Sequence, residues 1–200
     1  MNPVELIEAV RETKRRNLPQ RESLAALSTA LSEFVADPAN RRVSLPATTR
    51  GLYTRMLLNA RDDDFQIVVV SWSPRSASPI HDHSGTVGAV AALAGTTIET
   101  KHRIVGTEGG SVRLQRLDTL RLTGRTVTPI LPDEEFQLHD MVNATDERAA
   151  TVHIYLTPVN DFFIYEPQPD GTYRLQPRRL WFDVENAWQL WTKGTVRHVA

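Results

Sequence analysis

The stretch Ser78-Pro79-Ile80-His81-Asp82-His83 contains a His-x-His pair, and the chain on either side of it can be interpreted as its support. Successive side chains of a strand point to opposite faces, so this spacing in a strand projects both imidazoles to one side as two metal ligands. His139, in a later strand, is the best candidate for a third ligand. An isolated His-x-His pair is often exposed and unliganded, so the pair alone does not establish a metal site.

Size and composition indicate a single globular domain. The chain has 200 residues, and 40% of them are hydrophobic, which suits one buried core. We expect a single domain over residues 1–200, with N-terminal helices over 1–40, a barrel over about 43–165 and a C-terminal extension over 166–200. The longest apolar run, from Val87 to Leu93, is too short to span a bilayer, and the N-terminus lacks the apolar segment of a signal peptide. A cytoplasmic protein without a membrane partner is therefore expected.

Charge and cysteine content exclude several classes of function. The formal net charge is -1 and the arginines are scattered, so the sequence predicts no broad basic surface for nucleic acid. The chain contains no cysteine, which excludes disulfides, thiolate zinc sites and cysteine nucleophiles. Any metal must then be held by histidine and carboxylate ligands.

Two helices are predicted at the N-terminus, packed on the outside of the rest of the domain. Asn2 is suited to be the N-cap of the first helix, with Pro3 in the first position and Glu5 in the third. This helix should end near Asn17-Leu18-Pro19, and the second should end at Asp37-Pro38. Apolar residues recur on one face of the second helix at helical spacing: Leu24, Leu27, Leu31 and Phe34.

From about Val43 the periodicity changes to that of short strands separated by turns, which is typical of a β-sandwich or barrel. The predicted strands are Leu52 to Leu58, Phe65 to Trp72, Thr86 to Leu93, Thr96 to His102, Val112 to Leu117, Thr126 to Ile130, Phe136 to His139, Ala149 to Leu156 and Phe162 to Tyr165. The predicted turns include Gly106 to Gly110 and Asp133-Glu134-Glu135. Aromatic residues of the C-terminal extension are expected to cover the core or a dimer surface: Trp181, Phe182, Trp188 and Trp191.

One predicted strand, Thr151-Val152-His153-Ile154-Tyr155-Leu156, alternates polar and apolar side chains. If its polar face points into a barrel, Thr151 can orient His153, and His153 can orient the hydroxyl of Tyr155 in a hydrogen-bonded relay. The alternative interpretation is a solvent-facing polar row on an edge strand. A metal close to this row would favour the relay.

Taken together, five motifs resemble the pattern of the cysteine dioxygenase family, whose members are thiol dioxygenases of the cupin superfamily. These are Tyr53-Thr54-Arg55, Ser78-Pro79-Ile80-His81-Asp82-His83, Gly95, His139 and His153-Ile154-Tyr155. The resemblance covers roughly Gly51 to Tyr165, and Asn143 also fits it. It implies a mainly β fold, a jelly-roll-like double-stranded β-helix barrel with the N-terminal helices packed outside.

The resemblance also implies an iron(II) site held by His81, His83 and His139. Gly88 stands where other cupins carry a glutamate ligand, so the implied ligand set contains no carboxylate. Three neutral imidazoles leave the full +2 charge on the metal and leave positions open, which favours an incoming thiolate and O2.

The activity implied by the resemblance is the oxidation of L-cysteine by O2 to cysteine sulfinate. Arg55 would pair with the substrate carboxylate through its planar fork, which lysine lacks. Tyr155, His153 and Thr151 are the implied catalytic group. Two further residues are implied to line the substrate pocket, Tyr53 and Trp72, although core packing would explain each of them equally well.

Other interpretations stay open at this point. Gly88 also lies where mammalian members carry the cysteine that crosslinks to the tyrosine, so that crosslink is impossible here. The 3-mercaptopropionate dioxygenases usually carry glutamine, and not arginine, in the segment around Arg55. The presence of Arg55 therefore favours cysteine as the substrate, but it does not settle the choice. A non-catalytic cupin that binds a metal or a small acid would explain the three histidines but not the relay. His102 and His198 are expected to be exposed, and Asp82 should point away from the metal and anchor a loop.

Overall fold

The computed structural model describes residues 1–46, 53–132 and 138–193, and it is mainly β. The helices are α1 (Pro3–Arg16), α2 (Gln20–Ala36), α3 (Pro38–Arg41) and α4 (Gln189–Lys193). The strands are β1 (Tyr53–Leu57), β2 (Gln66–Trp72), β3 (Ile80–His81), β4 (Gly88–Ala94), β5 (Thr97–Glu108), β6 (Ser111–Leu122), β7 (Val127–Ile130), β8 (Leu138–Val142), β9 (Ala149–Tyr155), β10 (Asp161–Pro167) and β11 (Tyr173–Arg179).

The strands form two sets with antiparallel pairing. The first is a five-stranded sheet in the order β1-β2-β9-β4-β7. The second, in the order β10-β11-β6-β5-β8-β3, closes on itself because the short strand β3 pairs with both β8 and β10. The predicted fold class, a mainly β barrel with N-terminal helices outside it, is confirmed.

The first helix begins where the sequence predicts. The side chain of Asn2 accepts a hydrogen bond from the backbone N–H of Glu5 at 3.0 Å, and the Glu5 carboxylate accepts from the Asn2 N–H at 2.7 Å. This reciprocal pair satisfies two of the donors that a helix start leaves without a partner. Helix α1 ends at Asn17, whose φ of 46° closes the last turn in the left-handed conformation.

The helices cover the outer face of the five-stranded sheet. Leu27, Leu31 and Phe34 of α2 are fully buried, and they share one apolar cluster with Val152 and Ile154 of β9. Because strand side chains alternate, the opposite face of β9 carries Thr151, His153 and Tyr155. This face is turned toward the space between the two strand sets. Burial of the apolar row against the helices therefore fixes which way the polar row points.

Each of the nine predicted strands has a counterpart, but three features differ, the first being the short strand β3, which is not among the predicted strands. Strands β5 and β6 run further than predicted, so the turn between them falls at Gly109 and Gly110 and not from Gly106 onward. Strand β11 lies in the segment predicted as the C-terminal extension and completes the closed set. Several predicted positions lie outside the described residues: Leu52, Asp133-Glu134-Glu135, Phe136, Gln137 and His198.

The C-terminal aromatics fulfil the prediction in part. Trp191 packs against Phe34 with 6.2 Å between the ring centroids, and Trp188 contacts the same cluster beneath the helices. Trp181 differs, because it lines a cavity on the face of β2 that is turned away from the helices. In the part of the chain that the structure describes, no helix has both the length and the apolar character needed to cross a membrane.

Candidate metal centre

Three histidines from different parts of the sequence meet at one point. His81 and His139 lie directly opposite each other on the paired strands β3 and β8. His83 follows β3 by two residues, and its Nε2 lies 3.1 Å from Nε2 of His139. One ring nitrogen from each of the three histidines lies within 4.8 Å of the other two. The predicted grouping of these residues is therefore present in the structure.

Hydrogen bonds set the tautomers of two of these rings. His81 Nδ1 lies 2.9 Å from the carbonyl oxygen of Pro79, so this nitrogen carries the proton and donates. His139 Nδ1 lies 2.6 Å from Oε1 of Glu99. With its Nδ1 proton donated to that oxygen, His139 likewise turns an Nε2 lone pair toward the common point. Partners of this kind behind a ligand are what orient metal-bound histidines.

The spacing of His83 and His139 suits two ligands of one divalent cation. Two ring nitrogens 3.1 Å apart would subtend about 95° at an ion bound at roughly 2.1 Å from each. Burial lowers the pKa of His81 to about 4 and holds the pKa of His139 well below its usual value. The rings are therefore neutral at neutral pH, which is the form in which histidine binds a metal.

Asp82, between the two histidines of the pair, points away from them as predicted. Its carboxylate accepts hydrogen bonds from the backbone N–H groups of Ser84 and Phe163, at 3.1 and 3.2 Å. These bonds hold the loop after β3 against β10, where Ser84 adopts a φ of 51°. Burial raises the pKa of this carboxyl above its usual value. Asp82 therefore anchors the loop that carries His83.

The polar row of β9 forms the predicted hydrogen-bonded chain. Thr151 Oγ1 lies 2.8 Å from His153 Nε2, and His153 Nδ1 lies 3.3 Å from the hydroxyl of Tyr155. All three side chains are buried. The Tyr155 ring packs beside His83 with 5.7 Å between the centroids, so the far end of the chain lies next to the histidine cluster.

Burial keeps both titratable members of this row uncharged. It lowers the pKa of His153 to about 3 and raises the pKa of the Tyr155 phenol well above its usual value. The phenol therefore keeps its proton throughout the physiological range and can serve as a hydrogen-bond donor.

Arg55 is held between two aromatic rings at the same cavity. Its guanidinium carbon lies 4.8 Å from the centroid of Tyr53 and 4.6 Å from that of Trp181. Its Nη2 also donates to the Tyr53 hydroxyl at 3.0 Å. The backbone of Arg55 is tied to Asp183, whose N–H donates to the Arg55 carbonyl at 2.8 Å and whose carboxylate accepts the Arg55 N–H at 2.9 Å. The C-terminal extension thus fixes Arg55 from the side opposite β2.

These groups line a single cavity of about 130 Å³. A cavity of this size suits a small ligand. The predicted site residues that line the cavity are Tyr53, Arg55, Trp72, His81, His83, His153 and Tyr155. His139 and Thr151 lie behind this lining, and each contacts a residue that forms it.

Sequence reasoning was wrong about His102 and missed three other residues. His102 is buried, and its Nε2 lies 2.7 Å from Oδ2 of Asp140, because β5 is covered along its first half and not exposed. Glu99 contacts His139, and Trp181 and Arg178 line the cavity. Only a knowledge of which strands are neighbours could have found these three, since none belongs to a local motif.

The chain was compared with known families and structures. The family described as cysteine dioxygenase type I matches residues 2–168. An uncharacterised protein with a double-stranded β-helix domain from Klebsiella pneumoniae is 18% identical, with a TM-score of 0.41 over 59% of this chain and 85% of that one. A cupin superfamily protein from Desulfitobacterium hafniense is 14% identical, with a TM-score of 0.42 over 59% and 89%.

Proposed function

The chain belongs to the cysteine dioxygenase type I family and is a thiol dioxygenase, and from this we propose that it oxidises L-cysteine to cysteine sulfinate. In this reaction RSH and O2 give RSO2⁻ and H⁺, so both oxygen atoms go to sulfur, which loses four electrons. We further propose that the metal is iron(II), held by His81, His83 and His139. Iron(II) would supply a redox-active Lewis acid for the thiol and O2.

The observation that carries this proposal is that the Arg55 guanidinium and the buried Tyr155 phenol lie around one histidine cluster. Arg55 and Tyr155 both line the cavity of about 130 Å³ that contains His81 and His83. A substrate held by its carboxylate at one end and by its thiol at the other fits this arrangement. A cupin that only bound a metal would have no use for either group.

Arg55 is assigned to the substrate carboxylate. Its planar guanidinium presents parallel N–H donors, which match the two oxygens of a carboxylate. Tyr53 and Trp181 both pack against the guanidinium and restrict its orientation. Because less side-chain freedom is lost when the substrate binds, this packing should strengthen binding as well as set its direction.

Tyr155 is assigned to the reacting end of the substrate. Its phenol stays protonated, because burial raises its pKa, and its hydroxyl oxygen is held by His153. The hydroxyl hydrogen can then be directed to an oxygen atom that develops negative charge on its way to sulfur. Thr151 and His153 act by orienting this hydroxyl.

Oxygen uptake by the iron-loaded protein tests the proposal. Uptake should depend on added L-cysteine, with cysteine sulfinate as the product, and Tyr155→Phe should lower kcat. A second candidate is 3-mercaptopropionate, which carries the same carboxylate but no amine. Faster uptake with 3-mercaptopropionate would replace the proposed substrate, and no thiol-dependent uptake with either compound would contradict the proposal.

A further inference from the structure

Glu99 is a fully buried carboxylate directly behind one of the three histidines. It lies on β5, opposite Met141 of β8, while His139 lies opposite Lys101. Residues that are two apart on a strand share a face, so Glu99 and His139 are diagonal neighbours on the inner face of this strand pair. Glu99 Oε1 lies 2.6 Å from His139 Nδ1, and the side chain of Glu99 has no exposed surface.

A carboxylate in this position needs a compensating charge. Removing an ionised carboxylate from water costs several kcal/mol unless a partner offsets it. Among the described residues, the second oxygen, Oε2, finds no hydrogen-bond partner. Lys101, two residues further along β5, offsets part of the charge of Glu99, and a divalent cation on the far side of the His139 ring would offset more of it through the imidazole.

Binding of a cation also fixes the direction of this hydrogen bond. A histidine that binds a metal through Nε2 keeps its one remaining proton on Nδ1. That proton can then only be donated, and Oε1 of Glu99 is the acceptor at 2.6 Å. The corresponding nitrogen of His81 donates to the neutral carbonyl of Pro79. The ligand set is therefore asymmetric, since one of its members has an anion behind it.

We propose that Glu99 is a positioning residue of the metal centre, whose carboxylate holds His139 with Nε2 toward the cation and offsets part of the cation's charge. This inference rests on the proposed function, because it requires a cation at the three histidines. The picture of three neutral imidazoles that leave the full +2 charge on the metal is then incomplete. The carboxylate makes His139 a stronger electron donor and weakens the pull of the site on a thiolate.

Metal affinity separates this role from a merely structural one. Co²⁺ affinity should be measured by competition with a chelator for the full-length protein and for Glu99→Gln, which keeps the shape and removes the charge. Loss of a partner of this kind typically weakens metal binding by about 10- to 100-fold, and we expect a loss in this range. The unfolding midpoint of the metal-free variant should not fall, since removing a buried charge is often neutral or stabilising.

Asp140→Asn is the matched control. Asp140 lies next to His139 on β8, and its carboxylate also bonds a histidine, His102, at 2.7 Å. Its carboxylate makes none of the described hydrogen bonds to the three clustered histidines, although its charge also acts on His81. We expect its Co²⁺ affinity to stay within about twofold of the parent, well under the change typical of a partner to a ligand. An equal loss in both variants, or no loss in Glu99→Gln, would overturn the proposal.

A second measurement on the unaltered protein covers the case in which Glu99→Gln does not fold. In the Zn²⁺-loaded protein, nitrogen-15 NMR should show His139 protonated at Nδ1, with that proton further downfield than the Nδ1 proton of His81. A His139 without an Nδ1 proton would refute the role of Glu99. If the unaltered protein binds neither Co²⁺ nor Zn²⁺, the proposed metal centre itself is wrong. Metal binding that is equally tight with and without the Glu99 carboxylate is a different result, which contradicts only the role of Glu99.

Discussion

The indole nitrogen of Trp72 lies 2.9 Å from Oγ1 of Thr151 and donates a hydrogen bond to it. An indole N–H can only donate, so this bond occupies a lone pair of Thr151 and leaves the hydroxyl hydrogen for Nε2 of His153, 2.8 Å away. His153 then carries its proton on Nδ1 and donates it to the Tyr155 oxygen. In this arrangement the Trp72 bond leaves the Thr151 hydrogen available to His153, and the Tyr155 hydrogen is free to point into the cavity.

Thr151→Val should slow catalysis without weakening substrate binding. Valine has the shape of threonine but neither donates to His153 nor accepts from Trp72, so the tautomer of His153 is no longer fixed. Loss of one such bond corresponds to about a tenfold fall in kcat, with KM unchanged. Steady-state oxygen uptake measures both constants. Thr151→Ser keeps the hydroxyl and should retain most of the activity. Wild-type kcat in the valine variant would show that the direction of the chain is irrelevant.

Arg55→Lys should weaken binding of thiols that carry a carboxylate. Lysine keeps the charge but loses the planar fork and the stacking between Tyr53 and Trp181. A hydrogen bond to a charged group contributes about 1.5–3 kcal/mol, so KM for the preferred thiol acid should rise by roughly 10- to 100-fold. Cysteamine, which has no carboxylate, is the control substrate, and its KM should not change. An unaltered KM for L-cysteine would contradict the carboxylate assignment of Arg55.

Trp181→Leu should have a smaller effect in the same direction. The indole covers one face of the Arg55 guanidinium at 4.6 Å and is 47% exposed, so the stacking is only partly desolvated. Exposed contacts of this kind contribute about 0.5–1 kcal/mol, which predicts a two- to fivefold rise in KM. Trp188→Leu is the matched control, because Trp188 packs beneath the helices and not at the cavity. Equal changes in KM for both variants would indicate a general loss of packing.

Local pattern was enough to predict the parts of the site that lie within one strand. The alternation of β9 predicted which side chains face inward, and the buried apolar row of Val152 and Ile154 explains why. The capping residues Asn2 and Glu5 predicted the start of α1 for a similarly local reason. His81 and His83 are also two residues apart, but β3 ends at His81, so His83 is placed by the loop that Asp82 anchors.

Contacts that depend on the pairing of strands distant in sequence could not be predicted from such local patterns. Glu99 contacts His139 only because β5 and β8 are neighbours in a particular register, and a glutamate two residues before Lys101 looks like a solvated strand position. Strand β11 was missed because Tyr173–Arg179 is largely exposed and rich in arginine, and its apolar alternation is limited to Tyr173 and Leu175. Trp181 reaches Arg55 only after β11 has returned the chain to the cavity.

Gly88→Ala should destabilise the fold. Gly88 lies between Tyr155 of β9 and Ile130 of β7, and a Cβ at this position would lie 2.3 Å from the carbonyl oxygen of Ile154. Backbone atoms of a central strand cannot move aside without breaking the ladder. We expect a loss of about 1–3 kcal/mol in the free energy of unfolding, measured by urea titration. Cysteine at this position, as in mammalian members, should be tolerated no better.

Gly106→Ala is the control for this prediction. Gly106 also lies within a strand, but the nearest atom to an added Cβ is the side-chain Cδ of Arg113 at 4.0 Å, which is ordinary contact. Its free energy of unfolding should be unchanged or slightly higher, because alanine restricts the unfolded chain. A Gly88→Ala variant as stable as Gly106→Ala would mean that β4 and β9 are further apart than the structure shows.

The metal-free protein should lose stability as the pH falls from 6.5 to 5. Burial lowers the pKa of His153 to about 3 and of His81 to about 4, and it also lowers that of His139. Unfolded histidine titrates near 6.5, so between about pH 4 and 6.5 the unfolded state binds more protons than the folded state. The free energy of unfolding therefore rises with pH in this window, and it levels off above about pH 7.

The size of this effect identifies its source. Each neutral buried histidine contributes up to about 1.4 kcal/mol per pH unit below 6.5, so urea unfolding at pH 7, 6 and 5 resolves the slope. His153→Gln removes one of these groups without touching the three clustered histidines, and it should lower the slope by about a third. The carboxyls of Asp82 and Glu99, whose pKa values burial raises, act in the opposite direction and reduce the slope, while exposed carboxyl groups are ionised in both states above pH 5 and add little. A free energy of unfolding that stays constant from pH 7 to pH 5 would mean that these histidines are not held neutral by burial.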